Sequence, residues 1–274
     1  MSTDIPLGRL EAFAHRLADA SGEAIRPFFR TALAVNDKKG RDHYDPVTEA
    51  DRAGERAIRA LIEREFPDHG ILGEEYGETP GRAPYRWIID PIDGTRGFMT
   101  GQPVWGTLIG CLKNGDPVLG LIDQPYTRER AVATAAGARW RTPHDDEALM
   151  RVRACTRIED AVLCTTDPRM FPEGPAADAF RALGKRCRML RFGGDCYNYA
   201  LLALGQIDLV VEAGLAPYDV LPLVPVIEAA GGILTDWAGQ RLTGSYDFST
   251  GANVVAAGDV YVHAAVLDIL SGAV

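Results

Sequence analysis

No stretch of the 274-residue chain holds enough consecutive apolar residues to cross a bilayer. The opening MSTDIPLG lacks both the basic and the apolar region of a secretory leader. Cysteine is sparse and unpaired: the five, Cys111, Cys155, Cys164, Cys187 and Cys196, are odd in number and include no Cys-x-x-Cys. That pattern argues against a disulfide framework or a zinc site. It points to a reducing cytoplasm, with at least four of the cysteines as buried small hydrophobes. Positive charge is also short. With 29 Lys and Arg against 38 Asp and Glu, the net charge is −9, which disfavours nucleic acid or an anionic membrane as partner. An anionic substrate stays open, because a bound metal inverts the local field. Repeats and low-complexity segments are absent.

What remains is an ordinary globular composition, 46% hydrophobic and 24% charged, sufficient for one large domain or two modest ones. Leu10, Phe13, Ala14, Leu17, Ala18, Ala24, Ile25 and Phe28 recur at helical spacing. A second helix starts at Thr48, with Asp51 three residues on as a capping partner and Ala57, Ile58, Leu61 and Ile62 as its apolar face. Strand-like runs follow at 87–90, 104–112, 118–123, 131–134 and 138–141, separated by turns such as Asn114-Gly115. These predict an antiparallel sheet with the two helices packed on it.

After residue 145 the style changes. Strands at 161–165, 189–192, 208–211, 233–235 and 254–257 alternate with helices at 176–183, 197–204, 221–230 and 260–270, predicting an α/β layer. The polar TPHDDE over 142–147 reads as a linker. The chain is therefore expected as two halves, 1–145 and 146–274, of mixed α+β and α/β class.

The segment WIIDPIDGT over 87–95 runs three apolar residues, Trp87, Ile88 and Ile89, into two carboxylates, Asp90 and Asp93. Like charges so placed repel, and burial worsens the repulsion, so a cation is expected there. Gly73-Glu74-Glu75 lies upstream after another apolar pair. Oxygen donors with no histidine nearby suit Mg²⁺ or Mn²⁺ better than zinc. Gly94 and Thr95 add backbone amides able to cradle a phosphate. The bland alternative is turn chemistry, to which Asp-Pro and Asp-Gly pairs are prone. The combination favours metal-assisted phosphoryl hydrolysis. Haloacid-dehalogenase-type phosphatases also follow a strand with an acidic pair, but theirs is Asp-x-Asp. The extra residue here turns the second side chain elsewhere.

Four ordered motifs, DPVTEAD (45–51), GILGEE (70–75), WIIDPIDGT (87–95) and PYDVLPLVPVIEAAGG (217–232), resemble the inositol-monophosphatase-like family of Mg²⁺-dependent, lithium-sensitive phosphatases. RFGGDCYNY (191–199) and DGTRGFMTGQPVWGTLIG (93–110) look like its histidinol-phosphate phosphatase branch. The resemblance implies a layered αβαβα sandwich of the inositol monophosphatase and fructose-1,6-bisphosphatase type. It implies two or three metal ions per site. Glu74, Asp90 and the Ile92 carbonyl would hold one, and Asp90, Asp93 and Asp219 a second. Gly94 and Thr95 would hold phosphate. Asp51 and Thr95, with Glu74, would serve the attack of a metal-activated water. It also implies a homodimer. For Asp51 and Asp219 taken alone, helix capping is the simpler reading.

Histidinol carries an ammonium, for which Asp195 is the leading partner, with Glu212 at a family substrate position and Arg191 facing phosphate or steadying Asp195. A surface role for each is the alternative. The resemblance thus implies hydrolysis of L-histidinol phosphate in histidine biosynthesis. Inositol 1-phosphate is the nearest rival substrate. A non-catalytic binding partner in RNA processing is the rival of another class, disfavoured by the intact acidic set. Gly97 stands where many relatives have Asn. The stretch NDKKGRDHYD over 36–45, with His43, is either a lid bearing the third metal or an exposed polar hairpin.

Overall fold

The computed structural model describes residues 4–32, 35–37, 46–144 and 147–271. Most of the candidate lid, 38–45 with His43, lies outside the described residues. The N-terminal half runs α1 (Leu7–Ile25), β1 (Val35–Asp37), β2 (Pro46–Thr48), α2 (Glu49–Glu65), β3 (Gly70–Gly73), β4 (Gly77–Thr79), β5 (Tyr85–Asp93), α3 (Thr95–Met99), β6 (Gly106–Lys113), β7 (Asp116–Gln124), β8 (Glu129–Thr134), β9 (Gly137–Arg141) and β10 (Ala148–Leu149). The C-terminal half runs β11 (Val162–Thr165), α4 (Pro175–Arg186), β12 (Met189–Phe192), α5 (Asp195–Ala203), β13 (Leu209–Leu215), α6 (Pro217–Val220), α7 (Leu223–Ala229), β14 (Ile233–Asp236), β15 (Ala252–Ala257) and α8 (Val260–Leu270).

Two sheets result. The eight-stranded one has the order β10-β9-β8-β7-β6-β5-β3-β4, the five-stranded one β12-β11-β13-β15-β14. The first is antiparallel as expected except where β3 runs parallel to β5, the crossover between them being absent from the hydrophobic pattern of so short a strand. In β5 the side chains alternate. Trp87 and Ile89 pack under α1 and α2, while Ile88 faces α5, α7 and the second sheet. Both faces are buried, which is why the run reads as continuously apolar rather than alternating. The outer face of the second sheet carries α4 and α8, with Phe180, Leu183, Val262 and Val266 on Leu163 and Val255. The order is helix, sheet, helix, sheet, helix. β10 lies C-terminal to residue 145 yet pairs with β9, and the central core draws on both halves.

Two details set the site. The helix expected over 221–230 is α7, which begins after Pro222, whose missing N–H suits a helix start, and a separate four-residue α6 carrying Asp219 precedes it. Pro222 in turn rests on a cross-strand glycine pair, Gly110 opposite Gly120. A Cβ on Gly120 would lie 2.0 Å from the Pro222 carbonyl oxygen, and one on Gly110 3.3 Å from Pro222 Cγ. That close approach brings Asp219, three residues upstream, against the end of β5. We expect Gly120→Ala to cost about 3 kcal/mol or more by overpacking. Urea unfolding of the variant measures it.

Candidate active site

Where β5 ends, the pairing slips. Asp90 opposes Leu108 and Asp93 opposes Gly106, so three steps on β5 match two on β6. This β-bulge forms at Pro91, which has no N–H for the ladder. The Thr107 hydroxyl donates to the Pro91 carbonyl at 2.8 Å and the Ile92 N–H donates to Asp90 Oδ1 at 2.9 Å, fixing the bulge. The extra residue returns Asp93 to the side of Asp90. Oxygens of Asp90, Asp93 and Asp219 all lie within 4.8 Å of one another.

Each acid is anchored from a different element. Asp219 accepts from the Ala216 N–H at 2.7 Å, and Asp93 from the Cys196 N–H at the start of α5 at 2.5 Å. The Glu74 N–H donates to the Ile89 carbonyl at 3.2 Å, which seats Glu74 beside β5. The following loop is clamped by Glu55, fully buried on α2, which accepts from the N–H groups of Glu75 at 2.7 Å and Tyr76 at 3.2 Å. Arg59, one turn on, holds Glu55 at 2.7 Å. Asp51 closes the capping box foreseen at Thr48: its Oδ2 accepts from the Thr48 N–H at 2.7 Å and hydroxyl at 2.6 Å. Its Oδ1 lies 3.4 Å from the Thr95 hydroxyl, which also donates to the Ile92 carbonyl at 3.1 Å. Capping and site membership coincide in this residue.

Gly94 takes φ +87 at the entry to α3, and a Cβ there would lie 3.0 Å from the Asp195 carboxyl carbon. Only glycine meets both demands.

Glu74, Asp90, Ile92, Asp93, Gly94, Thr95 and Asp219 line a cavity of about 710 Å³ between the halves, with Asp51 buried behind Thr95. Asp195, packed beside Gly94, and Glu212 also line it, the two carboxylates the sequence had singled out. Glu212 is buried: Thr166 donates to one oxygen through its N–H (3.0 Å) and hydroxyl (2.6 Å), and the Tyr199 hydroxyl donates to the other at 2.9 Å. Arg191 does not join them. It stands exposed on β12, the edge strand, away from the lining. The basic side chain in the lining is Arg96, ion-paired with Asp167 at 3.6 Å. Arg96, Thr166, Tyr199 and Glu55 were not singled out by the sequence. Arg96 alone carried a signal, its place beside Thr95. Two cysteines, Cys155 and Cys187, are half-buried rather than buried, and all five are free.

Burial and neighbouring acids push the Asp90 and Asp93 carboxyls well up. Burial first, and Glu74 next, act on Asp90; burial and then Asp195 act on Asp93. Asp195 is raised by burial to about 6 despite Arg96, and Glu212 by burial to about 7. Oxygen donors that resist ionisation together are a cation site in chemical character.

The profile of the inositol monophosphatase family matches residues 7–270. The chain belongs to the inositol monophosphatase family. It is 45% identical to the chloroplastic bifunctional phosphatase IMPL2 of Arabidopsis thaliana over 98% of this chain and 77% of the relative. It is 33% identical to a histidinol-phosphatase of Chlorobaculum parvum over 83% and 86%. Among solved structures, an inositol monophosphatase from Zymomonas mobilis superposes with a TM-score of 0.84 at 40% identity, covering 98% of this chain and all of that one. The layered sandwich of this family phosphatase is thereby matched by its structural neighbours.

The raised carboxyls give a pH signature. Between pH 4 and 7 the folded, metal-free chain binds more protons at Asp90, Asp93, Asp195 and Glu212 than the unfolded chain does. These groups therefore lower stability as pH rises. A divalent cation binding the ionised cluster opposes this. The gain in Tm on adding Mg²⁺ should grow from pH 5 to pH 7.5, as thermal melts at both pH values would record.

Proposed function

We propose that this family phosphatase is an Mg²⁺-dependent phosphomonoesterase, Mn²⁺ serving in its place, that hydrolyses L-histidinol phosphate to L-histidinol and phosphate. The observation that carries the substrate reading is the pair of carboxylates, Asp195 and Glu212, lining the same cavity as the acidic cluster. A leaving group with an ammonium fits that pair, since charge-assisted pairing relieves the raised carboxyl of Asp195.

In this reading Glu74, Asp90 and the Ile92 carbonyl would hold one ion and Asp90, Asp93 and Asp219 would hold a second, with room for a third to join. When bound, such ions supply Lewis-acid activation of water and neutralise charge on the leaving oxygen. Asp51 and Thr95 hold the attacking water. Thr48 keeps Asp51 from turning away, because it occupies the other carboxylate oxygen. Gly94 and Thr95 present N–H groups to the phosphoryl oxygens. The ester P–O bond breaks as the water oxygen attacks in line, and the leaving oxygen takes up a proton.

Relatives named for each substrate match the chain. An inositol-1-monophosphatase of Mycolicibacterium smegmatis is 31% identical over 86% of it. Inositol 1-phosphate is therefore the second reading. Phosphate release across a panel of esters at fixed Mg²⁺ separates them. Histidinol phosphate should give the highest kcat/KM, and Asp195→Asn should lower it about tenfold or more for that ester alone. Clear preference for inositol phosphate would refute the substrate and leave the phosphatase.

We also propose a homodimer in a reducing, cytoplasm-like compartment. The free cysteines fit the latter. No helix among the described residues is long and apolar enough to cross a membrane. For the dimer the support is the open β12 edge, where Met189 and Phe192 are 48% and 50% exposed. Sedimentation should give a dimer mass for the parent chain and a monomer for Phe192→Lys.

A further inference from the structure

We propose that a cavity between α1 and the β7–β8 turn is a second ligand site, for a small phosphate-type dianion. It has a volume of about 190 Å³, and Arg26, Arg128, Arg130 and Arg141 line it together with Asp19 and Asp123. None of these residues takes part in the acidic site, and the proposal does not rest on the substrate reading.

The charge count is the core of the case. Four arginines and two aspartates line it, a surplus of two positive charges in the lining of a chain of net charge −9, with Arg130 buried and Arg26, Arg128 and Arg141 exposed at the rim. Both carboxylates are already committed. Arg130, buried at the back, donates to Asp123 at 2.6 Å and to Asp19 at 2.7 Å, and reaches the His15 carbonyl at 3.3 Å. Arg26, Arg128 and Arg141 have no carboxylate in ion-pair contact among the described residues. His15, next to Arg130, adds no compensating or further charge, because burial and then Arg130 and Arg141 hold its imidazole below the usual range.

Arg128 supports the reading from the backbone. It has φ +62 and closes the turn by donating its N–H to the Gln124 carbonyl at 2.8 Å. Glycine would take that conformation without strain, so the turn keeps an arginine at a conformational cost. Forked guanidinium donors match phosphate oxygens. A dianion would cancel the surplus of two. The volume lies below the roughly 300–1,000 Å³ of sites for drug-sized ligands, which suits one phosphate group rather than a nucleotide.

Titration of the metal-stripped full chain tests this, using inorganic phosphate in one arm and glycerol 2-phosphate in another, followed by calorimetry. The arginine variants leave the acidic cavity untouched, so the part of the saturable binding that they remove reports the arginines. Saturation by either probe supports the site, the tighter one naming the source of the phosphate. Arg128→Gly, which suits the turn, and Arg141→Ser should each weaken binding about tenfold. Arg82→Ser, which removes an arginine 90% exposed elsewhere, should leave binding unchanged. Absence of saturable binding overturns the proposal. So does binding that survives in the Arg128→Gly, Arg141→Ser double variant with its circular dichroism intact. Loss of ester hydrolysis would bear on the proposed function alone.

Discussion

Repulsion between crowded carboxylates, Asp90 buried and Asp93 and Asp219 half-buried, is the constraint around which the rest of this molecule is arranged. Asp90, Asp93 and Asp219 hold oxygens within 4.8 Å of one another. At an effective dielectric near 20, each ionised pair at that distance costs about 3 kcal/mol, before desolvation is counted. Among the described residues lining the cavity, the basic side chain is Arg96, and it is engaged with Asp167. Burial and the neighbouring acids push the Asp90 and Asp93 carboxyls well up in response, and a divalent cation is the species that would relieve the repulsion.

Holding such a cluster requires that no acid be able to swing away. The supports are therefore backbone donors and rigid packing rather than mobile side chains. Asp219 and Asp93 accept N–H groups at the starts of α6 and α5. The Glu74 loop is tied to α2 through Glu55 and Arg59. The Gly110–Gly120 pair lets Pro222 settle on the first sheet, so the C-terminal half delivers Asp219 at a fixed height over β5. The site consequently depends on the contact between the halves as much as on the residues that line it.

Much of this was legible in the chain. The capping pair Thr48 and Asp51, the continuously apolar β5, the Asn114-Gly115 turn and the alternation of strands and helices after residue 145 are local signals, and the local structure follows them. What was not legible depends on partners distant in sequence. Arg191 and Arg96 are both arginines near acids in the chain, but only strand order reveals that β12 is an edge and α3 a cavity wall. Glu212 read as a family substrate position, with a strand-end surface charge as the alternative. Its burial and its bonds to Thr166 and Tyr199 exist only once α5 lies between the sheets. The split between α6 and α7 depends on the seat for Pro222, which two glycines on other strands provide.

The spacing of Asp90 and Asp93 shows how far alternation alone carries. In a regular strand, residues three apart point to opposite faces, so the pair would be divided between two layers. Proline between them removes a ladder donor, the register slips by one residue opposite β6, and the second acid returns to the first one's side. Thr107 then holds the Pro91 carbonyl, so the slip is locked rather than tolerated. An Asp-x-Asp pair would reach a common face without a bulge, yet it would keep both acids in line with the strand. The bulge instead steps the chain outward at Gly94, where a left-handed turn starts α3 and sets Thr95 opposite Asp51. One irregular step therefore gathers the carboxylates at the end of β5 and sets the Thr95 hydroxyl opposite Asp51 together, which a regular strand would divide between two faces.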